Sequence, residues 1–191
     1  MDYLIYNIPG LNETAIDTSV LSSQEKEEAQ RRGGQFALIR ALLRHEIARR
    51  NGVSAAEIPI TYGPHGKPEC PIQHFNLSHS GECLCLAFHH KPIGVDVERM
   101  RPRKFEAIAE KFMSAEQLGA FKSRYCPQDE FFSCWCAAEA LVKLAGDTMW
   151  NAKNYPFIYL HGRIVCQFKG APTVELFSPK PGYCGAVACC K

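Results

Sequence analysis

Apolar residues along the chain alternate between two spacings, and the changes of spacing mark out strands and helices. Residues 3–8 form a short apolar run of strand character. Ser22 and Glu25 have capping-box spacing and open a helical region that Gly52 closes, with Gly33-Gly34 as a break or kink inside it. From Gln35 to Arg50, Leu38, Ile39, Leu42, Leu43 and Ile47 recur at helical spacing as an apolar stripe, and Arg40 and Arg44 lie one turn apart off that stripe. Beyond a loop rich in Gly and Pro (63–71), Phe75–Leu77 and Cys83–His89 read as strands around a turn at Gly81.

A second round begins at the strand Ile93–Val97. Ser114 and Gln117 repeat the capping-box spacing before a short helix. A longer helix is expected from about Gln128 to Leu144, with Gly146 as its stop. The remainder holds strand-like runs at 155–160, 163–168, 173–178 and 183–190, separated by Gly and Pro. Helices packed on mainly antiparallel strands, twice in succession, predict an α+β protein of two similar lobes.

The chain has 191 residues, enough for one full-sized domain or two small lobes around a shared interface. A formal charge of +2 produces no strong field, so bulk attraction to nucleic acid or to an anionic membrane is not expected. The start of the chain lacks the basic and apolar regions of a signal peptide, and no segment approaches the roughly 20 apolar residues that span a bilayer. The expectation is a soluble, cytoplasmic protein, in which ten cysteines stay reduced and serve as small core residues. None belongs to a C-x-x-C pair, and Cys134 and Cys136 point about 200° apart on a helix, too divergent for one ion.

Candidate chemistry starts at Gly94-Val95-Asp96-Val97-Glu98. Alternate residues of a strand share a face, so Asp96 and Glu98 present two carboxylates together. Trp135, Glu139 and Lys143, spaced by four, share one side of the long helix. Magnesium prefers oxygen and commonly takes one or two carboxylates plus substrate phosphates, which suits Asp96, Glu98 and Glu139, with Lys143 placed to neutralise a phosphoryl group. The alternative is a surface i,i+4 pair between Glu139 and Lys143 beside a solvated strand end. Upstream, Gly66-Lys67-Pro68 is a turn with a lysine suited to phosphate, and Ser78 and His79 end a strand as hydrogen-bond donors.

Gly66-Lys67-Pro68, Phe75-Asn76-Leu77-Ser78-His79-Ser80, Gly94-Val95-Asp96-Val97-Glu98 and the helix segment from Trp135 to Lys143 occur in the order and spacing of Sfp-type 4′-phosphopantetheinyl transferases, which the chain resembles. Phe112-Met113-Ser114-Ala115-Glu116 is similar to a further segment of that family. The resemblance is dense over residues 62–146 and looser at 35–50. It implies the 4′-phosphopantetheinyl transferase fold as a single unit over 1–191, with lobes of about 1–91 and 92–191, monomeric, and coenzyme A in the cleft between them. The implied reaction moves phosphopantetheine from coenzyme A to a serine of an apo acyl or peptidyl carrier protein and releases 3′,5′-ADP.

By the same resemblance Asp96, Glu98 and Glu139 would bind Mg2+, Glu139 would serve as base, and Lys143 would contact the pyrophosphate. Lys67, Ser78 and His79 would hold the coenzyme's phosphates and adenosine end. Arg40 or Arg44 would meet the 3′-phosphate, with Arg31 and Arg32 behind them. An acidic carrier would be steered by a basic face including Arg99, Arg101, Arg103 and Lys104. One departure stands out: Ala138 replaces the lysine that normally precedes the motif's glutamate. A coenzyme A-binding module without catalysis and an unrelated magnesium-dependent nuclease or phosphatase are the competing readings.

Overall fold

The fold comes from a computed structural model that describes residues 2–123, 127–168 and 170–190. The first half runs β1 (Asp2–Asn7), α1 (Ser23–Arg32), α2 (Gly34–Asn51), β2 (Thr61–Tyr62), β3 (Pro68–Glu69), β4 (His74–Ser80) and β5 (Cys83–His89). The second runs β6 (Ile93–Arg99), α3 (Phe105–Phe112), α4 (Ala115–Lys122), α5 (Pro127–Ala145), β7 (Phe157–Leu160), β8 (Arg163–Cys166), β9 (Thr173–Phe177) and β10 (Tyr183–Cys189). The two three-stranded sheets are ordered β1-β5-β4 and β6-β10-β9, antiparallel throughout. Their wiring is the same: an opening strand, then helices, then a pair of strands whose last member inserts in the middle. This is the two-lobed α+β arrangement that the repeated pattern predicts. Among the described residues, no helix is long and apolar enough to cross a membrane.

The local signals act as their chemistry dictates. Ser22 and Glu25 close both halves of the capping box, at 3.0 and 3.2 Å, and Ser114 and Gln117 do the same at 2.7 and 3.2 Å. Gly33, at φ +90°, separates α1 from α2, and Gly52 ends α2 in the left-handed region. Strand β5 is buried on both faces, and its alternation sorts side chains into two cores. Leu84, Leu86 and Phe88 pack on α2, whereas Cys83, Cys85 and Ala87 meet Ile93, Val95 and Val97 of β6 in the seam between the sheets. Six of the nine cysteines among the described residues are buried.

Two elements carried no expectation from the sequence: segment 105–112 folds as helix α3, and Thr61–Tyr62 pairs with Pro68–Glu69 of the Gly/Pro loop as the short hairpin β2–β3; both are too short or too poorly patterned to stand out. Arg40 and Arg44 are not on a free face of α2 but buried, because α1 and the turn at Ala55–Glu57 cover that side of the helix.

Candidate active site

The site grows from the approach of α5 to β6. A Cβ on Gly94 would collide with the Ala140 carbonyl oxygen and the Leu144 backbone nitrogen, so only glycine lets helix and strand sit this close. Asp96 and Glu98 share Gly94's face of the strand, and Glu139 and Lys143 lie on the helix one turn apart. Lys143 Nζ donates to Asp96 Oδ1 at 2.8 Å and to Ser78 Oγ at 3.1 Å, and Ser78 Oγ donates to the same carboxylate oxygen at 2.8 Å. Glu98 Oε2 accepts from Ser80 Oγ at 2.9 Å and from Arg103 Nη2 at 3.2 Å.

Strand β4 supplies a second wall through alternate side chains. Asn76 Oδ1 accepts the Val95 amide at 2.9 Å, Ser78 serves Asp96, and Ser80 both holds Glu98 and accepts the Arg99 amide at 3.1 Å. Polar side chains thus stitch β4 to β6. Asn76 and Ser80 escape a reading that looks for reactive residues; their signal is the polar spacing of two along β4. Ser78 is brought to the cluster, but its hydroxyl is committed to Asp96. In this arrangement it positions Asp96.

Electrostatics divide the cluster. Burial pushes the Glu139 carboxyl up to about 7; Lys143 opposes that push while Asp96 and Glu98 add to it. Burial pulls the Lys143 ammonium down, but Asp96 and Glu139 outweigh it and the net shift is upward. Asp96 is 4% exposed, and its Oδ2 is buried without a hydrogen-bond partner. An unpartnered carboxylate oxygen in an oxygen-rich pocket is what a hard divalent cation would satisfy. Yet no group of three or more His, Cys, Asp and Glu among the described residues already closes on a common point. Lys143 and Arg103 act as counterions, so the donor types suit a cation while the geometry requires these two side chains to give way.

Two further neighbourhoods flank the carboxylates. Arg32, Gln35, Phe36, Arg40, Leu77 and His79 surround a cavity of about 240 Å³, together with Ile39. The Arg40 side chain is 8% exposed; its Nε and Nη1 have no hydrogen-bond partner, and Glu25 Oε1 stays 3.9 Å away. Burial lowers the Arg40 pKa, and burial followed by the Lys143 and Arg32 charges lowers that of His79. Arg44 is excluded from this cavity. Its Nε donates to Glu25 Oε2 at 2.6 Å and its Nη1 to the Ala55 and Ile58 carbonyls, so it is a structural residue and not a phosphate contact. Arg31 is paired with Glu28 on the exposed face of α1, whereas Arg32 reaches the cavity over the Phe36 ring.

Lys67 stands elsewhere, in a cavity of about 590 Å³ that also includes His74, Ile93 and Leu144–Gly146. Its turn is closed by Gly63 N–H on the Lys67 carbonyl at 2.9 Å. Its Nζ lies 3.5 Å from the Leu144 carbonyl, at the negative end of α5, and burial lowers its pKa against the pull of Glu69. The predicted residues therefore form three neighbouring groups: Asp96, Glu98, Glu139, Lys143 and Ser78 together, Arg40 with His79, and Lys67 apart. Ala138 is 2% exposed within the core of the second half, so a lysine there would meet packed side chains.

Comparisons with known proteins point one way. The family model described as the 4'-phosphopantetheinyl transferase superfamily matches residues 92–187. A 4'-phosphopantetheinyl transferase of Bacillus subtilis is 34% identical over 110 residues, covering 55% of this chain but only 49% of that protein. The ffp transferase of Bacillus subtilis is 29% identical over 184 residues, covering 88% and 82%. Sfp of Bacillus subtilis strain 168 is 28% identical over 156 residues, covering 76% and 69%. The match thus spans about half of the first relative's length and most of the second's.

Proposed function

Because the chain belongs to the 4′-phosphopantetheinyl transferase superfamily, we propose that it moves phosphopantetheine from coenzyme A to a serine of an apo acyl or peptidyl carrier protein, releasing 3′,5′-ADP. It does so as a cytoplasmic monomer, one unit with lobes of about 1–91 and 92–191 and the coenzyme lying across the seam. The observation that carries this reading is the buried Asp96 with one oxygen unpartnered, beside a Glu139 carboxyl held near 7.

Asp96, Glu98 and Glu139 are the residues that would hold Mg2+; when bound, the ion draws charge from the pyrophosphate and lowers the proton affinity of the carboxylates around it. Glu139 would accept the proton of the incoming serine, its carboxylate made a stronger acceptor by burial. Lys143, released from Asp96, balances charge growing on the departing 3′,5′-ADP. The two unpartnered nitrogens of Arg40, with His79 and Arg32 on the same cavity, support a site for the coenzyme's 3′-phosphate. Lys67 takes a phosphate as a point charge from the far side of α5's end.

Intact-mass analysis of apo carrier proteins incubated with the chain, coenzyme A and Mg2+ tests the proposal, with a gain of one phosphopantetheine per carrier expected. One observation favours a second reading: Ala138 lies in the core, so the ammonium usual at that place has no counterpart there. Tight coenzyme A binding with no mass gain on any carrier would establish a binding module instead.

A further inference from the structure

Glu98 is held in place by a residue from outside the motifs. Its Oε2 takes both the Ser80 hydroxyl, at 2.9 Å, and the Arg103 guanidinium, at 3.2 Å. Ser80 is neutral and part of the β4 wall, so it can stay while a cation is bound. Arg103 is a full charge, and it competes directly with a cation for the same oxygen. Its side chain is 34% exposed, and its guanidinium carbon lies 5.5 Å from the centre of the Phe132 ring, so the head that pairs with Glu98 stands at the rim of the site with an aromatic face beside it.

Arg103 also belongs to a basic strip. Arg99, Arg101 and Lys104 flank it, all exposed, and none of the three forms an ion pair among the described residues. Immediately beyond, Glu106 and Glu110 on α3 reverse the sign, with Glu110 paired to Lys122. An acidic surface is drawn to the strip and repelled by the carboxylate of Glu106 at the start of α3. We infer that Arg103 is a latch: an acidic protein docking on the strip Arg99–Lys104 draws Arg103 off Glu98 and so completes the carboxylate set for a divalent cation. The inference rests on the reading of Asp96, Glu98 and Glu139 as that cation's ligands. Docking and cation uptake are then linked, and each strengthens the other by the same factor.

Calorimetric titration of Mg2+ into the full chain tests the latch, with and without a short polyglutamate peptide whose own Mg2+ uptake is subtracted. Arg103→Ala is expected to tighten Mg2+ binding by about two- to five-fold, the range set by one partly exposed ion pair. The peptide tightens binding in the wild type and has no such effect in Arg103→Ala. Arg101→Ala, on the same strip but not in contact with Glu98, weakens the response to the peptide and leaves the peptide-free Mg2+ affinity unchanged. Equal Mg2+ affinity in wild type and Arg103→Ala, or weaker binding in the variant, overturns the latch alone. Absence of Mg2+ binding in both proteins overturns the latch together with the cation site beneath it.

Discussion

Each half of the molecule buries charge, the first between two helices and the second between helix and sheet, and the two halves treat that charge differently. In the first, Arg44 meets Glu25 at 2.6 Å, and its remaining donors reach the Ala55 and Ile58 carbonyls. In the second, Lys143 satisfies one oxygen of Asp96 and leaves the other bare, while Glu139 is driven toward neutrality by burial. The Glu25–Arg44 pair holds α1 on α2, and the one oxygen it leaves without a hydrogen bond, Glu25 Oε1, has the Arg40 guanidinium 3.9 Å away. The bare oxygen of Asp96 has further carboxylates, Glu98 and Glu139, in its neighbourhood, a cost that a cation can relieve, so the second half is the one whose buried charge suits a cation.

Glu139→Gln is the sharpest way to break that contrast. It keeps the shape of the side chain and removes the proton acceptor. Carrier modification followed by mass spectrometry is expected to fall by about 10²–10⁴-fold. Full activity in the variant would dismiss Glu139 as the base.

The two arginines of α2 test the difference within one helix. Arg44→Ala leaves the buried Glu25 without its hydrogen-bonded partner, with only Arg40 at 3.9 Å opposite it, and is expected to cost about 3–5 kcal/mol in denaturant unfolding. Arg40→Ala removes a guanidinium already short of partners, so stability should change far less, while the KM for coenzyme A rises about ten-fold. If Arg40→Ala destabilises as much as Arg44→Ala and leaves KM unchanged, the small cavity is packing and not a binding site.

Gly94→Ala asks whether the close helix approach creates the site. The added methyl meets backbone on α5, which cannot rotate aside as a side chain can. The expected loss is about 3 kcal/mol of stability, together with weakened Mg2+ binding as Lys143 and Glu139 shift from Asp96. A variant of undiminished melting temperature would show that α5 has more freedom than its packing indicates.

Much of this contrast was legible beforehand, for identifiable reasons. The strand period put Asp96 and Glu98 on one face and the helix period put Glu139 and Lys143 on one side, so the carboxylate cluster followed from geometry plus motif order. The doubled succession of strands and helices likewise anticipated two similar lobes of helices on antiparallel strands, though not the strand order within each sheet. Arg44 misled because a polar residue off an apolar stripe reads as exposed, and only the later contact with α1 and the Ala55–Ile58 segment buries it. Glu25 shows the same blindness: its capping role was readable from Ser22, whereas its ion pair with Arg44 joins residues 19 apart in the chain. Arg103 and Ser80 were invisible as partners of Glu98, since neither spacing nor residue type says which side chain a loop returns to the strand.

The mildest test concerns pH. The Glu139 carboxyl has its pKa raised from an ordinary 4.5 to about 7 in the folded, cation-free protein. Between these values the folded state binds more protons than the unfolded state, so stability must fall as pH rises through that window. The contribution is present below about pH 4.5 and gone above about pH 7, and its size is on the order of 1–3 kcal/mol. Chemical unfolding in the absence of divalent cations, compared at pH 5 and pH 8, measures it against the other titrating groups. Glu139→Gln, which cannot ionise, is expected to flatten that part of the profile and to be the more stable protein at pH 8, though inactive. Added Mg2+ should restore the wild type's stability at pH 8 and do less for the variant, because the ion supplies the counter-charge that burial denies Glu139. If wild type and Glu139→Gln lose stability in parallel from pH 5 to pH 8, the carboxylate is better solvated than its surroundings imply, and the second half holds its charge as comfortably as the first.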